Sequence, residues 1–155
     1  MATAAPNVVT LNKGNFKETI ENNPFVIVDF WAPWCEPCVV FTPTFEAAAA
    51  KNKDIVFGMV NTETDPEISE YFDVSQIPGI LVIREQAGIH AQVGEIGAPA
   101  LDKIIEWARE FDISQVRDYY AEEDKWQFAN VFNDGGRCVL RVSLFYNRWI
   151  LKIKQ

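Results

Sequence analysis

From Phe25 to Trp31 every residue except Asp29 is apolar. A run that short, stopped upstream by Asn22-Asn23-Pro24, predicts a buried strand. Ile55–Val60 repeats the pattern, and Val8–Leu11 predicts a short edge strand. Ile80–Ile83 and Ile89–Val93 flank the polar stretch Arg84–Gly88, which predicts a hairpin. Elsewhere the apolar spacing is helical. Phe16 and Ile20 give a short helix its stripe, with Asn12 as N-cap. A longer helix should start near Cys35 and run through Ala47–Ala50 to about Lys53, kinked where Pro43 lacks an N–H. Asp65-Pro66-Glu67 carries helix-start chemistry for Ile68–Phe72. Pro99 opens an amphipathic helix whose apolar face is Leu101, Ile104, Ile105, Ala108 and Phe111. The order β-α-β-α-β-α-β-β-α predicts an α/β fold with a sheet of mixed strand direction.

Beyond Phe111 the periodicity weakens. Ile113–Tyr120 continues as a helix, Glu122–Asp124 is an acidic run, and Asn133-Asp134-Gly135-Gly136 is a turn between two apolar stretches. Val139–Tyr146 and Trp149–Ile153 predict strands, so residues 125–155 suit a hairpin that needs another surface for stability. Charge marks the same segment. Residues 1–134 hold 9 Lys/Arg and 22 Asp/Glu, whereas residues 135–155 hold 5 Lys/Arg and no acid. Two parts are expected: a domain over 1–111 and a C-terminal extension over 112–155.

The chain has 155 residues, 48% of them hydrophobic, enough for one packed domain. A net charge of −8 argues against nucleic-acid binding, which requires a basic footprint. No apolar run approaches the length of a membrane span. The N-terminal residues lack the basic and apolar regions of a signal peptide, which leads to the expectation of a cytoplasmic protein.

Three cysteines cannot staple a chain of this size. Cys35 and Cys38 form a CxxC, and Cys138 stands apart in the basic segment. In a cytoplasmic chain a CxxC is catalytic or metal-binding. Cys138 and the sole histidine, His90, would complete a three-Cys-one-His zinc set by count, but neither has a second ligand at short spacing. His90 itself is expected on the surface of the hairpin. The context of the pair favours redox chemistry. It lies where a buried strand hands over to a helix, so Cys35 meets the unpaired N–H groups and positive dipole of the helix start, which favour a thiolate. Cys38 lies one turn along the same face, placed to resolve a mixed disulfide.

Taken together, Val28-Asp29-Phe30-Trp31-Ala32-Pro33-Trp34-Cys35-Glu36-Pro37-Cys38 resembles the active-site segment of the thioredoxin family. The resemblance covers residues 8–111. It implies a thioredoxin-like mixed sheet flanked by helices, with the extension appended. Asp29 matches the family's buried acid, Pro43 its helix-kinking proline, Ile77-Pro78 its cis-proline, and Gly94 the glycine beside the substrate groove. The implied catalytic residues are Cys35, Cys38 and Asp29. The implied substrate surface is Trp31, Trp34, Glu36, Pro37, Ile77, Pro78 and Gly94. Three positions depart from the family: Glu36 replaces a glycine, Met59 stands where a lysine near the buried acid is common, and Gly79 replaces a threonine.

The activity so implied is reduction of protein disulfides, an electron-transport role with no bound cofactor and no metal. A thioredoxin reductase drawing on NADPH would recharge the pair, since the chain has no Gly-rich nucleotide fingerprint of its own. Expected partners are disulfide-containing proteins and that reductase, with no nucleic acid and no membrane. Self-association would run through the extension. A different class also fits: a binding or assembly module whose extension recruits a partner.

Overall fold

The computed structural model describes residues 6–114. The expected hairpin, the basic run 135–155 and Cys138 lie outside the described residues. The nine elements follow the expected order: β1 (Val8–Leu11), α1 (Phe16–Asn22), β2 (Phe25–Trp31), α2 (Glu36–Lys51), β3 (Val56–Asn61), α3 (Pro66–Tyr71), β4 (Gly79–Arg84), β5 (Ala87–Val93) and α4 (Ala98–Glu110). The five strands form one sheet in the order β1-β3-β2-β4-β5. β1 and β2 run parallel to β3, whereas β4 runs antiparallel to β2 and to β5.

β2 is central because its alternate side chains are apolar on both faces. Phe25 and Ile27 join Phe41, Phe45, Phe57 and Leu101 in the core beneath α2 and α4. Val26, Val28 and Phe30 join Phe16, Ile68 and Phe72 in the core beneath α1 and α3. Each large side chain removed from water there contributes roughly 1.5–3 kcal/mol. Tilted ring pairs, such as Phe45 against Phe57 at 5.1 Å, lock the packing. Of the apolar face expected on α4, Leu101, Ile105 and Ala108 are buried, whereas Ile104 and Phe111 are only partly covered.

Several local expectations are corrected. The N-cap of α1 is Asn15, not Asn12. The Asn12 side chain instead accepts from the N–H groups of Gly14 and Asn15, closing the turn that precedes the helix. Asp65 does precede α3, but its carboxylate accepts from the Lys13 N–H at 3.0 Å rather than from the helix. α2 ends at Lys51, two residues early, where Asn52 turns back onto the carbonyls of Ala48 and Ala49.

The β4–β5 turn is much tighter than Arg84–Gly88. Arg84 pairs with Ala87, leaving only Glu85 and Gln86 in the turn, with φ of 48° and 71°. Two residues in the left-handed region match the twist of a hairpin, although Asn and Gly are the usual choice. A bond from the Glu85 N–H to the Pro24 carbonyl, 2.7 Å, holds this one. His90 is half-buried on β5 rather than on the surface, its ring 5.6 Å from that of Trp107 on α4.

Candidate active site

Strand β2 ends at Trp31, and Ala32-Pro33-Trp34 turns the chain into α2. The Cys35 N–H donates to the Ala32 carbonyl at 3.1 Å, which fixes that turn. Cys35 is the N-cap of α2, in extended conformation, with Glu36 and Pro37 opening the helix. Pro37 costs no hydrogen bond there because first-turn N–H groups have no helical acceptor.

Cys35 and Cys38 are joined in a disulfide, their Cα atoms 5.2 Å apart. The Cys38 N–H donates to Cys35 Sγ at 3.3 Å, so the sulfur takes the place of a capping oxygen. Both sulfurs are largely enclosed: Cys35 is 4% exposed and Cys38 fully buried. Cys38 belongs to the inward stripe of α2 that continues through Phe41 and Phe45. Pro43 lies inside the helix on its outer side. In this oxidised form neither sulfur is a thiolate, and His90 packs against Trp107 on the β5 side of the sheet.

Facing the pair, the Ile77–Pro78 peptide bond is cis. Ile77 and Trp31 pack on the small cluster of Ala32, Cys35 and Cys38. Gly94 closes the same edge: its N–H donates to the Pro78 carbonyl at 2.8 Å, with φ of 93°, a conformation that favours glycine. Trp34, at 68% exposed, stands outside the cluster with Glu36 and Pro37 on the open side. The structure therefore brings together Trp31, Cys35, Cys38, Ile77, Pro78 and Gly94, and leaves Trp34, Glu36 and Pro37 on the rim.

Asp29 is fully buried. Strand alternation puts it on the same face as Ile27, the face on which α2 packs. Its cross-strand neighbours are Met59 on β3 and Ile80 on β4. Neither offers a charge or a donor, and among the described residues no hydrogen bond reaches either carboxylate oxygen. Desolvation is the sole cause of its altered acidity and pushes the carboxyl up to about 7. At neutral pH such a group holds or releases a proton with equal ease, the behaviour general acid–base catalysis demands.

Val39, Val40 and Val93, each about half exposed, were not among the expected site residues. Val39 and Val40 are exposed on the outer side of α2, and Val93 at the end of β5. The first two were legible: with Cys38, Phe41 and Phe45 turned inward, helical spacing turns Val39 and Val40 outward.

A mixed sheet presenting a CxxC disulfide at a helix start, with a cis-proline opposite and a buried acid on the same sheet face, defines the thiol–disulfide oxidoreductases of thioredoxin fold. A family model for thioredoxin matches residues 7–109. A putative thioredoxin 2 of Streptomyces coelicolor is 44% identical over 117 residues, covering 76% of this chain and 87% of that one. Thioredoxin of Buchnera aphidicola from Schizaphis graminum is 36% identical over 92 residues, covering 57% of this chain and 84% of its own. The oxidised mitochondrial thioredoxin 3 of Saccharomyces cerevisiae shares the fold at a TM-score of 0.61 and 24% identity, covering 67% of this chain and 98% of its own. The chain belongs to the thioredoxin family. It is a thiol–disulfide oxidoreductase, a protein-disulfide reductase working through a redox-active cysteine pair.

Proposed function

We propose that Cys35 is the attacking thiol, Cys38 the resolving thiol, and Asp29 the proton acceptor that serves Cys38. In the reduced protein the Cys35 thiolate attacks one sulfur of a substrate disulfide and releases the other as a thiol. Cys38 then attacks Cys35 Sγ, its proton passing to Asp29, and the substrate leaves fully reduced with the Cys35–Cys38 disulfide behind it. The observation that carries this assignment is the bond from the Cys38 N–H to Cys35 Sγ. A donor aimed at that sulfur stabilises a thiolate more than a thiol, so the first attack belongs to Cys35. The substrate segment lies between Trp31, Trp34, Glu36 and Pro37 on one side and Ile77, Pro78 and Gly94 on the other. Its backbone runs extended past Pro78.

A thioredoxin reductase returns the pair to the dithiol with electrons from NADPH, and the protein works in the cytoplasm, where thiols are kept reduced. Mixing full-length protein with such a reductase and NADPH tests this: nucleotide oxidation should start on addition of a disulfide substrate and depend on Cys35. Steady consumption in the Cys35→Ser variant would refute it.

Glu36 tunes the nucleophile. A carboxylate about 6 Å from the sulfur in a largely aqueous setting is worth roughly 0.5–1 kcal/mol, which is less than one pKa unit. Glu36→Gly should lower the pKa of the Cys35 thiol by that fraction, followed through the ultraviolet absorbance of the thiolate. No change, or a rise, would count against the assignment.

Residues 112–155 supply no catalytic group. Every residue assigned a role above precedes Ile96. Truncation after Asp124 should keep turnover per active site within about tenfold, some 1.4 kcal/mol of barrier, while lowering stability or changing the oligomeric state. A larger loss in a folded truncated protein would place the extension in the site.

A further inference from the structure

Strand directions decide which segments share the dithiol end of the sheet. β1, β2 and β3 run toward it, β4 starts there and β5 finishes there. Among the described residues, the charged side chains of those termini, their loops and the first turns of the helices that follow include Glu18, Glu36, Glu63, Asp65, Glu67, Asp73 and Glu95, against two cations, Lys13 and Lys17. Both are engaged, the Lys13 ammonium 3.8 Å from Glu67 and the Lys17 ammonium 3.8 Å from Glu21. The cations Lys51, Lys53, Arg84 and Arg109 gather at the opposite end, where α2, β4 and α4 finish, with Arg109 paired to Asp54. Among the described residues, the dithiol end therefore carries an excess of negative charge around exposed apolar side chains.

A second feature points to what that end receives. A cleft of about 260 Å³ opens on the face covered by α3. Its walls include Phe30, Phe72, Val74, Ala91 and Val93, and among the described residues its one ionisable side chain is the exposed Asp73. Gly79 and Val93, a cross-strand pair in its lining, each lie one residue from the groove residues Pro78 and Gly94. Apolar walls suit a methylene stem, and a carboxylate at the edge suits a cationic tip. Lysine and arginine combine the two.

Building on the oxidoreductase assignment, we infer that this end selects disulfides in polypeptide segments that carry Lys or Arg near the cystine, one such side chain entering the cleft beside Pro78. The field raises the encounter rate, and the cleft holds the side chain once the disulfide is engaged. The chemistry at sulfur is unchanged; only the choice of disulfide is affected.

The test uses full-length protein and cystine peptides identical except for Lys, Gln or Glu beside the cystine, with neutral hydroxyethyl disulfide as reference. At low ionic strength kcat/KM should favour the Lys peptide over the Glu peptide by about tenfold or more, and added salt should shrink that ratio. Asp73→Asn combined with Glu95→Gln should cut the ratio severalfold, and Ala91→Leu should weaken the Lys-over-Gln preference that persists in salt. Glu110→Gln, at the far end, should change nothing. Equal kcat/KM for the three peptides, a preference for Glu, or a ratio untouched by the paired variant would overturn the inference while hydroxyethyl disulfide is still reduced. Failure to reduce hydroxyethyl disulfide would instead overturn the oxidoreductase assignment on which it rests.

Discussion

Cys38→Ser should accumulate stable mixed disulfides with substrate proteins, and Cys35→Ser should abolish exchange altogether. The asymmetry follows from position. Cys35 caps α2 and receives the Cys38 N–H, whereas Cys38 is fully buried on the inward stripe of the helix. Without Cys38 the first attack still proceeds, but nothing resolves the product. Without Cys35, the buried Cys38 sulfur has no route to a bulky disulfide. Mass spectrometry after incubation with an oxidised substrate protein should place every adduct of Cys38→Ser on Cys35. Adducts that form on Cys38 in the Cys35→Ser protein, at the wild-type rate, would reverse the roles.

Asp29 should make the protein less stable as pH rises from about 4 to about 7. Its folded-state pKa lies near 7 because burial penalises the anion, whereas in the unfolded chain it titrates near 4. Between those values the unfolded chain has lost the proton and the folded one has kept it. The unfolded state therefore gains with each pH unit, and the loss levels off above about pH 7. Some three units correspond to a loss on the order of 4 kcal/mol. Urea unfolding of the oxidised protein across this range measures it. In Asp29→Asn that component of the slope should vanish. Met59→Lys, which sets an ammonium across β3 from the carboxylate, should flatten it. Parallel stability curves for wild type and Asp29→Asn would mean that the carboxyl is ionised in the folded protein.

The parts of this fold that were legible are those where one physical requirement dominates. The run Phe25–Trp31 has no solvated face, so its place at the sheet centre follows from composition, and Asp29 stands out as its single polar exception. The Ile77-Pro78 pair and Gly94 were legible from the motif. Met59 was noted as a departure, but only the register of β2 on β3 places it directly across from Asp29 and explains the missing partner. The hairpin turn was not legible. Gly88 looks like its turn residue, yet it sits in β5 opposite Ile83, and Glu85 and Gln86 take the left-handed conformation instead. The bond from the Glu85 N–H to the Pro24 carbonyl joins the ends of the neighbouring strands β4 and β2, and no local pattern encodes it. The half-buried place of His90 is not legible for a similar reason: the Trp107 ring packed against it comes from a helix later in the chain.

The most direct measurement is reduction of insulin by the full-length chain, with dithiothreitol as electron source and turbidity of the released chain as readout. The Cys35/Cys38 dithiol should shorten the lag well below that of dithiothreitol alone, and Cys35→Ser should return it to the uncatalysed value. A wild-type lag indistinguishable from dithiothreitol alone would contradict the assignment of this protein as a protein-disulfide reductase.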